Sequence, residues 1–250
     1  MRAYLTLTRR ELAAFFFSWI GYIVIAGAVF LMGMSFVTLV SSLEGVPTFL
    51  PITELFLRSI YFWLILLFSA PVITMRLFAL EKSSGTFETL MTTPVSDLAV
   101  VLAKFSAALI LFMIVWLPLL GFILILRYFA HDPTLFEEGT LAATFLGLFL
   151  LGALYMSMGC FASSLTGNQI VAAMITFAIG LGLFILSFAA DRFAVDKSWS
   201  AATLNYVCLR AQMEDFVQGM VDTRWLAFYA TSSAFFLFLT HRVVQSRRWR

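Results

Sequence analysis

The chain has 250 residues, 62% of them hydrophobic and only 12% charged, with 28 phenylalanines and a formal net charge of +2. Soluble domains run near half apolar and about a quarter charged, so this composition excludes an ordinary water-soluble fold and points to one built for lipid. The small net charge, with no block of Lys or Arg, leaves no footprint for a nucleic-acid partner.

A spanning helix needs roughly 20 apolar residues rising about 1.5 Å each. After Arg9, Arg10 and Glu11 comes an uncharged run to Leu43, far longer than a signal peptide's apolar core of roughly 7–15 residues. No small-x-small cleavage site follows a short core, so this run is expected to remain as a first span over 19–40. The second, 59–75, is only about 25 Å long as a helix, with Arg58 and Arg76 able to snorkel to the surfaces. The third covers 105–126, with Lys104 at its mouth. Residues 139–190 carry no charge and would measure about 78 Å as one helix, so they must fold back. The polar cluster SSLTGNQ (163–169) marks that turn, leaving spans over 141–162 and 170–189. The sixth, 225–240, is again short. Helices satisfy their own backbone hydrogen bonds in lipid, and the alternation of a membrane barrel is absent. The predicted fold is therefore all-α: a single polytopic membrane domain of six transmembrane helices.

An even count puts both ends on one side. That side holds Arg2, Arg9, Arg10, Arg76, Lys82, Lys104, Arg242, Arg247, Arg248 and Arg250, against Arg58, Arg127, Arg192, Lys197, Arg210 and Arg224 on the other. The positive-inside rule then places both termini in the cytoplasm. Cys160 and Cys208 fall on opposite sides, so no disulfide is expected. Residues 191–224 become the one sizeable outer segment. Within it Met213, Phe216, Val217 and Met220 recur at i, i+3, i+4 and i+7, the spacing of an amphipathic helix lying on the outer surface, the alternative being a loop with chance spacing.

Converging catalytic groups are missing. His131 and His241 belong to opposite edges of the membrane, and there is no H-E-x-x-H, no metal-spaced cysteine pair and no G-x-x-x-x-G-K-[ST] phosphate loop. No metal is expected. No Asp or Glu falls inside a span, which argues against a proton relay or cation-coupled cycle. The spans carry small residues at helical spacing instead: Gly152, Gly159 and Ser163 in the fourth, Ala172, Thr176 and Gly180 in the fifth. Such stripes let helices approach closely, within one subunit or between two. Pro71 and Pro118 free the carbonyls of Leu67 and Ile114 and predict kinks, serving as hinges or only as shape.

The most informative connection is EKSSGTFETLMTTPVSD, residues 81–97. A short helix is predicted between Ser83/Ser84 and Thr93, with Glu88 near its middle and Phe87, Leu90 and Met91 as apolar contacts. Pro94 stops it and can begin the next helix, with Thr93 as N-cap and Pro94 at the first helical position. That helix runs through Lys104 into the third span. A docking knob for another protein and an amphipathic helix at headgroup level fit these residues equally well.

The stretch resembles the type 2 ABC exporter permeases, whose hallmark after the second span is Glu-x-x-x-Gly-Thr-x-Glu-x-Leu-x-x-x-Pro-Val-Ser. Glu81, Gly85, Thr86, Glu88, Leu90, Pro94, Val95 and Ser96 match it. Residues 159–173 and 213–229 look like the same family, in particular its gliding-motility and nitrous-oxide-reductase-maturation branches. The resemblance covers essentially the whole chain and implies the type 2 exporter permease fold in the bacterial cytoplasmic membrane. It implies that residues 1–18 form an interfacial elbow helix and that 81–96 form the coupling helix. The ATPase-coupling contacts would then come from Glu81, Gly85, Thr86, Phe87, Glu88, Leu90, Pro94 and Ser96. It further implies two separate ATP-binding subunits, which hold the ATP and Mg, and a second permease subunit, identical or related. The chain itself would carry no cofactor and no ATPase site.

By this resemblance the chain is a permease subunit coupling ATP hydrolysis in its partners to export or conformational work, with a weak preference for amphiphilic or lipid-like cargo. Two rivals stand beside it. One is mechanotransmission to an accessory protein on the outer face without translocation, which the gliding-motility likeness keeps open. The other is a secondary transporter or membrane enzyme needing no ATPase, against which the missing intramembrane carboxylates weigh.

Overall fold

The computed structural model describes residues 2–43, 52–87, 95–130, 138–193 and 206–248. Among them the apolar runs become long helices: α2 (Trp19–Leu43), α4 (Ile60–Thr74), α6 (Asp97–Ala130), α7 (Glu138–Leu165), α8 (Gln169–Phe193) and α10 (Thr223–Arg248). Short helices occupy the ends and turns: α1 (Arg2–Phe16), α3 (Ile52–Arg58), α5 (Ala79–Ser83) and α9 (Leu209–Val217). No strand occurs among the described residues.

Five of the long helices are apolar and long enough to cross a bilayer, the one built on α4 by continuing through a turn into α5. The sixth, α10, has the length at 26 residues, but Arg224, His241 and Arg242 bound its apolar stretch and lower its average hydropathy. The molecule is thus an all-helical polytopic membrane protein. The turn expected at the polar cluster joins α7 to α8, where the Asn168 side-chain oxygen accepts from the N–H groups of Ile170 and Val171 at 2.9 and 3.4 Å. Those are donors that a helix start otherwise leaves unpaired.

The bundle is organised around α7, which packs against α10 most extensively and also against α4, α6, α8 and α9. In lipid, helices associate by close packing rather than by release of water, and the small residues of α7 permit it. A Cβ added at Gly159 would lie 2.1 Å from Thr74 Oγ1 of α4, and one at Gly152 would lie 2.5 Å from the Phe112 ring of α6. On α8, Gly180 faces Tyr155, whose hydroxyl donates to the Gly180 carbonyl at 3.2 Å. Ala172 and Thr176 are buried on the same helix, and the Thr176 hydroxyl turns back onto the Ala172 carbonyl at 2.9 Å. The contacts of all three glycines lie inside one subunit. An aromatic core fills the space between α4 and α6, with ring centroids 5.1 Å apart for Phe62–Trp63 and for Phe62–Trp116, and 6.0 Å for Phe112–Trp116. Pro71 and Pro118 lie within unbroken helices, so neither divides its span into separate segments. By contrast α2 and α8 keep most of their surface outside the bundle.

Two details differ from the sequence reading. The helix leading into the third span does not extend helically through Val95 and Ser96; it begins at Asp97, and the proposed start at Thr93 and Pro94 lies outside the described residues. Ser96 supplies the cap, accepting from the Ala99 N–H at 3.3 Å through its hydroxyl and from the Val100 N–H at 3.2 Å through its carbonyl. Asp97 adds a carboxylate in the first turn, which the helix dipole favours.

The second difference concerns residues 209–217. Rather than lying on the surface, α9 buries its apolar face in protein: Leu209, Met213, Phe216 and Val217 are inaccessible, as is Gln212 between them. Phe216 seats against Gly147 of α7, where an added Cβ would come within 2.9 Å of its side chain. Met220, fourth member of the expected stripe, is exposed because the helix ends at Val217 and the chain turns at Gly219 with φ +82°. An ion-pair chain closes this region. Arg58 Nη2 lies 2.7 Å from Glu54 Oε1, in charge contact but not aligned as a hydrogen bond, while Arg210 reaches Glu214 at 2.8 Å.

Candidate functional site

The site forms where the second span ends. Helix α4 stops at Thr74, and the chain turns through residues 75–78 before resuming as α5. Such a break exposes backbone donors and acceptors that must find partners when buried. Ser163 of α7 supplies them. Its hydroxyl accepts from the N–H groups of Phe78 and Ala79, both at 3.1 Å, and donates to the Met75 carbonyl at 3.2 Å. One residue on, the Ser164 carbonyl accepts from the Lys82 ammonium, which also lies 5.5 Å from the centroid of the Phe87 ring. Sequence spacing marked Ser163 as a small packing residue; the structure makes it the hydrogen-bonding anchor of the turn. The signal available in the sequence was its place in a serine pair at the end of a span.

Beyond α5 the backbone reverses at Gly85, whose φ of +74° lies in the left-handed region that glycine adopts without steric cost. Ser84 and Thr86 hydroxyls meet across this reversal at 2.8 Å. Helical backbone resumes at Thr86 and Phe87, with Phe87 buried and Gly85 and Thr86 exposed. The short helix expected from Ser83/Ser84 onward is therefore split: Ser83 ends α5, and the next helical residues follow the glycine. Glu88, Leu90 and Pro94 lie outside the described residues.

Glu81 points inward. It belongs to a closed ring of four charges contributed by three helices. Arg10 Nη2 lies 2.9 Å from Glu11 Oε1 and 3.0 Å from Glu81 Oε1, while Lys104 Nζ lies 3.0 and 2.9 Å from those same oxygens. Positive and negative charges alternate around the ring, which is neutral as a whole. It joins α1 (Arg10, Glu11), α5 (Glu81) and α6 (Lys104). Lys104, at the mouth of the third span, is only 2% exposed and stands 5.3 Å from the Phe78 ring centroid, so it is the buried hub of the ring. The Arg10 guanidinium is held more firmly protonated than usual, chiefly by its hydrogen bond to Glu11 and, against some desolvation, by the Glu11 and Glu81 charges. A second tie between α1 and α6 runs from the Tyr4 hydroxyl to Ser106 Oγ at 2.6 Å.

The ring and the Ser163 anchor together fix α5 against α1, α6 and α7. Among the described residues no group of three His, Cys, Asp or Glu side chains could hold a metal ion, and His131 lies outside them. Cys160 and Cys208 are buried free thiols, with Cys208 Sγ spent on the Ser187 carbonyl at 3.4 Å. Of the residues singled out as coupling contacts, the structure joins Glu81 to Arg10 and Lys104, leaves Gly85 and Thr86 at the surface, buries Phe87 and uses Ser96 as a cap. The sequence reading missed Arg10 and Lys104 as partners of Glu81, since nothing in linear spacing connects residues 71 and 23 positions away.

A family profile described as ABC-2 family transporter protein matches residues 51–202, more than half of the chain. The matched region contains α3 to α8 and so includes the turn, the Gly85 reversal, Glu81 and Lys104. No curated protein matches the chain. With its apolar helices and this profile match, the chain belongs to the ABC-2 transporter family, whose members are the membrane-spanning permeases of ABC transporters.

Proposed function

We propose that this chain is one membrane half of an ATP-driven exporter in the bacterial cytoplasmic membrane, with both ends in the cytoplasm. It assembles with a second permease, identical or related, and with two ATP-binding subunits that hold nucleotide and Mg. Residues 81–96 are the coupling element. The observation that carries this reading is the ring of Arg10, Glu11, Glu81 and Lys104. A displacement imposed on the coupling element cannot be absorbed locally, because α5 is paired to α1 and α6 by charge and to α7 through Ser163. It passes into the bundle.

The docking face then begins beyond the reversal, at Gly85 and Thr86, and continues through Glu88, Leu90 and Pro94, whereas Glu81 acts inward. ATP favours one arrangement of the two permeases because the closed ATPase dimer contacts the coupling elements differently in each state. Two apolar helices with little of their surface buried within the chain, α2 and α8, suit an amphiphilic cargo moving between the permeases.

The test is a pull-down of the tagged chain from native membranes, with and without residues 85–96 replaced by a Gly/Ser linker. An ATP-binding subunit recovered only with the intact stretch supports the assignment. Its absence from both samples would turn attention to a transporter working without an ATPase. Recovery of the ATPase together with an outer-face protein, but no ATP-dependent uptake in inverted vesicles, would favour mechanotransmission.

A further inference from the structure

Arg76 sits in the turn between α4 and α5, half-buried, at the end of the second span. Its Nη1 donates to Ser18 Oγ at 2.6 Å, and among the described residues no carboxylate stands within ion-pair distance of it. Two lysines of the neighbouring elements are committed elsewhere, buried Lys104 to Glu11 and Glu81, and half-buried Lys82 to the Ser164 carbonyl. A guanidinium offers five N–H donors in a planar fork that matches a phosphate, and Ser18 takes one.

The surroundings say what kind of phosphate. Ser18 occupies the reversal between α1 and α2, which turns Phe17 and Trp19 outward at 93% and 85% exposure, with Tyr22 exposed one turn further on. Aromatic side chains so displayed at the end of a span belong at the headgroup level of a bilayer, and a cation there sits at the depth of lipid phosphates. A soluble anion would gain nothing from the bare aromatic flank; a phospholipid uses both, its phosphate on the fork and its acyl chains along the rings.

We infer that Arg76 and Ser18 bind the phosphodiester of an anionic phospholipid in the leaflet on the side of the chain ends, with Phe17 and Trp19 flanking its chains. The bound lipid fastens the α1–α2 reversal to the end of the second span, beside the charge ring but independent of any ATP-binding partner.

Native mass spectrometry of the purified chain, titrated with phosphatidylglycerol, tests this directly. Arg76→Gln should weaken the tightest-bound lipid by about tenfold or more, the loss of a charge-assisted pair. Arg242→Gln, which removes an exposed guanidinium near the C-terminal end, should leave it unchanged. Inorganic phosphate in excess should not displace the lipid. Equal retention by wild type and Arg76→Gln overturns the inference. So does displacement by inorganic phosphate, or phosphatidylcholine held as tightly as phosphatidylglycerol. Should Arg76→Gln fail to fold, Ser18→Ala should weaken retention by about threefold, and no change there overturns it equally.

Discussion

Replacing Lys104 with methionine keeps the length and most of the packing of the side chain but removes its ammonium. Lys104 is almost wholly buried, so neither water nor a displaced neighbour can substitute. The change leaves Glu11 and Glu81 facing each other with Arg10 as their one remaining cation. Glu81 Oε2 is already buried without a hydrogen-bond partner. Breaking a buried pair by removing one member costs about 3–5 kcal/mol, because the other charge is left uncompensated. Arg10 is half-exposed and still contacts both carboxylates, which argues for the lower end, about 3 kcal/mol. For a chain of this size that is a fall of roughly 6–12 °C in Tm, readable by tryptophan fluorescence during heating in detergent. Adding Glu81→Gln removes the surplus charge, so the double variant should recover about 1–3 kcal/mol relative to the sum of the singles. Strict additivity would refute the ring as one energetic unit, and a Tm shift below about 2 °C for Lys104→Met would mean the ammonium is not buried in the membrane-embedded protein.

Four further outcomes are expected. Gly159→Ala forces a Cβ to 2.1 Å from Thr74 Oγ1, and Thr74 is pinned by its bond to the Ala70 carbonyl at 2.8 Å; thermal stability should fall by about 1–3 kcal/mol, whereas Gly27→Ala, with no atom within 4 Å, should be tolerated. Ser163→Ala strands two buried N–H groups and a carbonyl, costing about 1–3 kcal/mol and loosening α5 to proteolysis before the rest of the chain unfolds. Glu88→Lys should reduce co-purification of the ATP-binding subunit without affecting membrane insertion, and unchanged recovery removes Glu88 from the interface. Thiols engineered at Ser198 and Ser246, in a background lacking Cys160 and Cys208, should react with an impermeant reagent from opposite sides; labelling from one side would overturn the six-span topology.

Composition and apolar run length made the membrane class legible, since a bilayer imposes a length on every crossing and forbids unpaired backbone within it. The polar cluster ending at Gln169 was legible as a turn for the same reason, and the Asn168 cap shows how it is closed. The sequence was equally clear about close approach at Gly152, Gly159 and Gly180, but silent on which neighbours approach, because Thr74, Phe112 and Tyr155 come from distant or non-adjacent positions. The amphipathic spacing of Met213, Phe216 and Val217 correctly signalled a helix with one apolar face. It could not say that this face would find α7 and α3 instead of lipid, since lipid and protein interior reward the same pattern. The charge ring was hidden for a different reason. Lys104 next to an apolar run looks like any snorkelling cation; only the fold brings Glu81 and the α1 carboxylate of Glu11 against it.

Gly85 divides the stretch 81–96 into two parts with opposite requirements. On the membrane side, Glu81 and Lys82 are bound to α6, α1 and α7 by charge and backbone contacts, so this half moves only if the bundle moves. Apolar residues of similar volume could stabilise the same junction as well as buried ions do; what a ring of alternating charges adds is a single favoured register, because sliding α5 along α6 brings like charges together. On the far side, Gly85 and Thr86 are exposed and joined to α5 through one left-handed glycine. A side chain at position 85 would strain that reversal by the order of 1 kcal/mol and tilt the segment beyond it without touching the ring. In the proposed exporter, substitutions at Gly85 should therefore alter how the ATPase is grasped, and substitutions at Lys104 should alter what happens after it is grasped. A permease carrying Gly85→Val should lose partner binding with its own stability nearly intact, while Lys104→Met should retain the partner and fail to transmit its closure. If both lose the partner to the same degree, the motif is one docking surface and the division at Gly85 has no functional meaning.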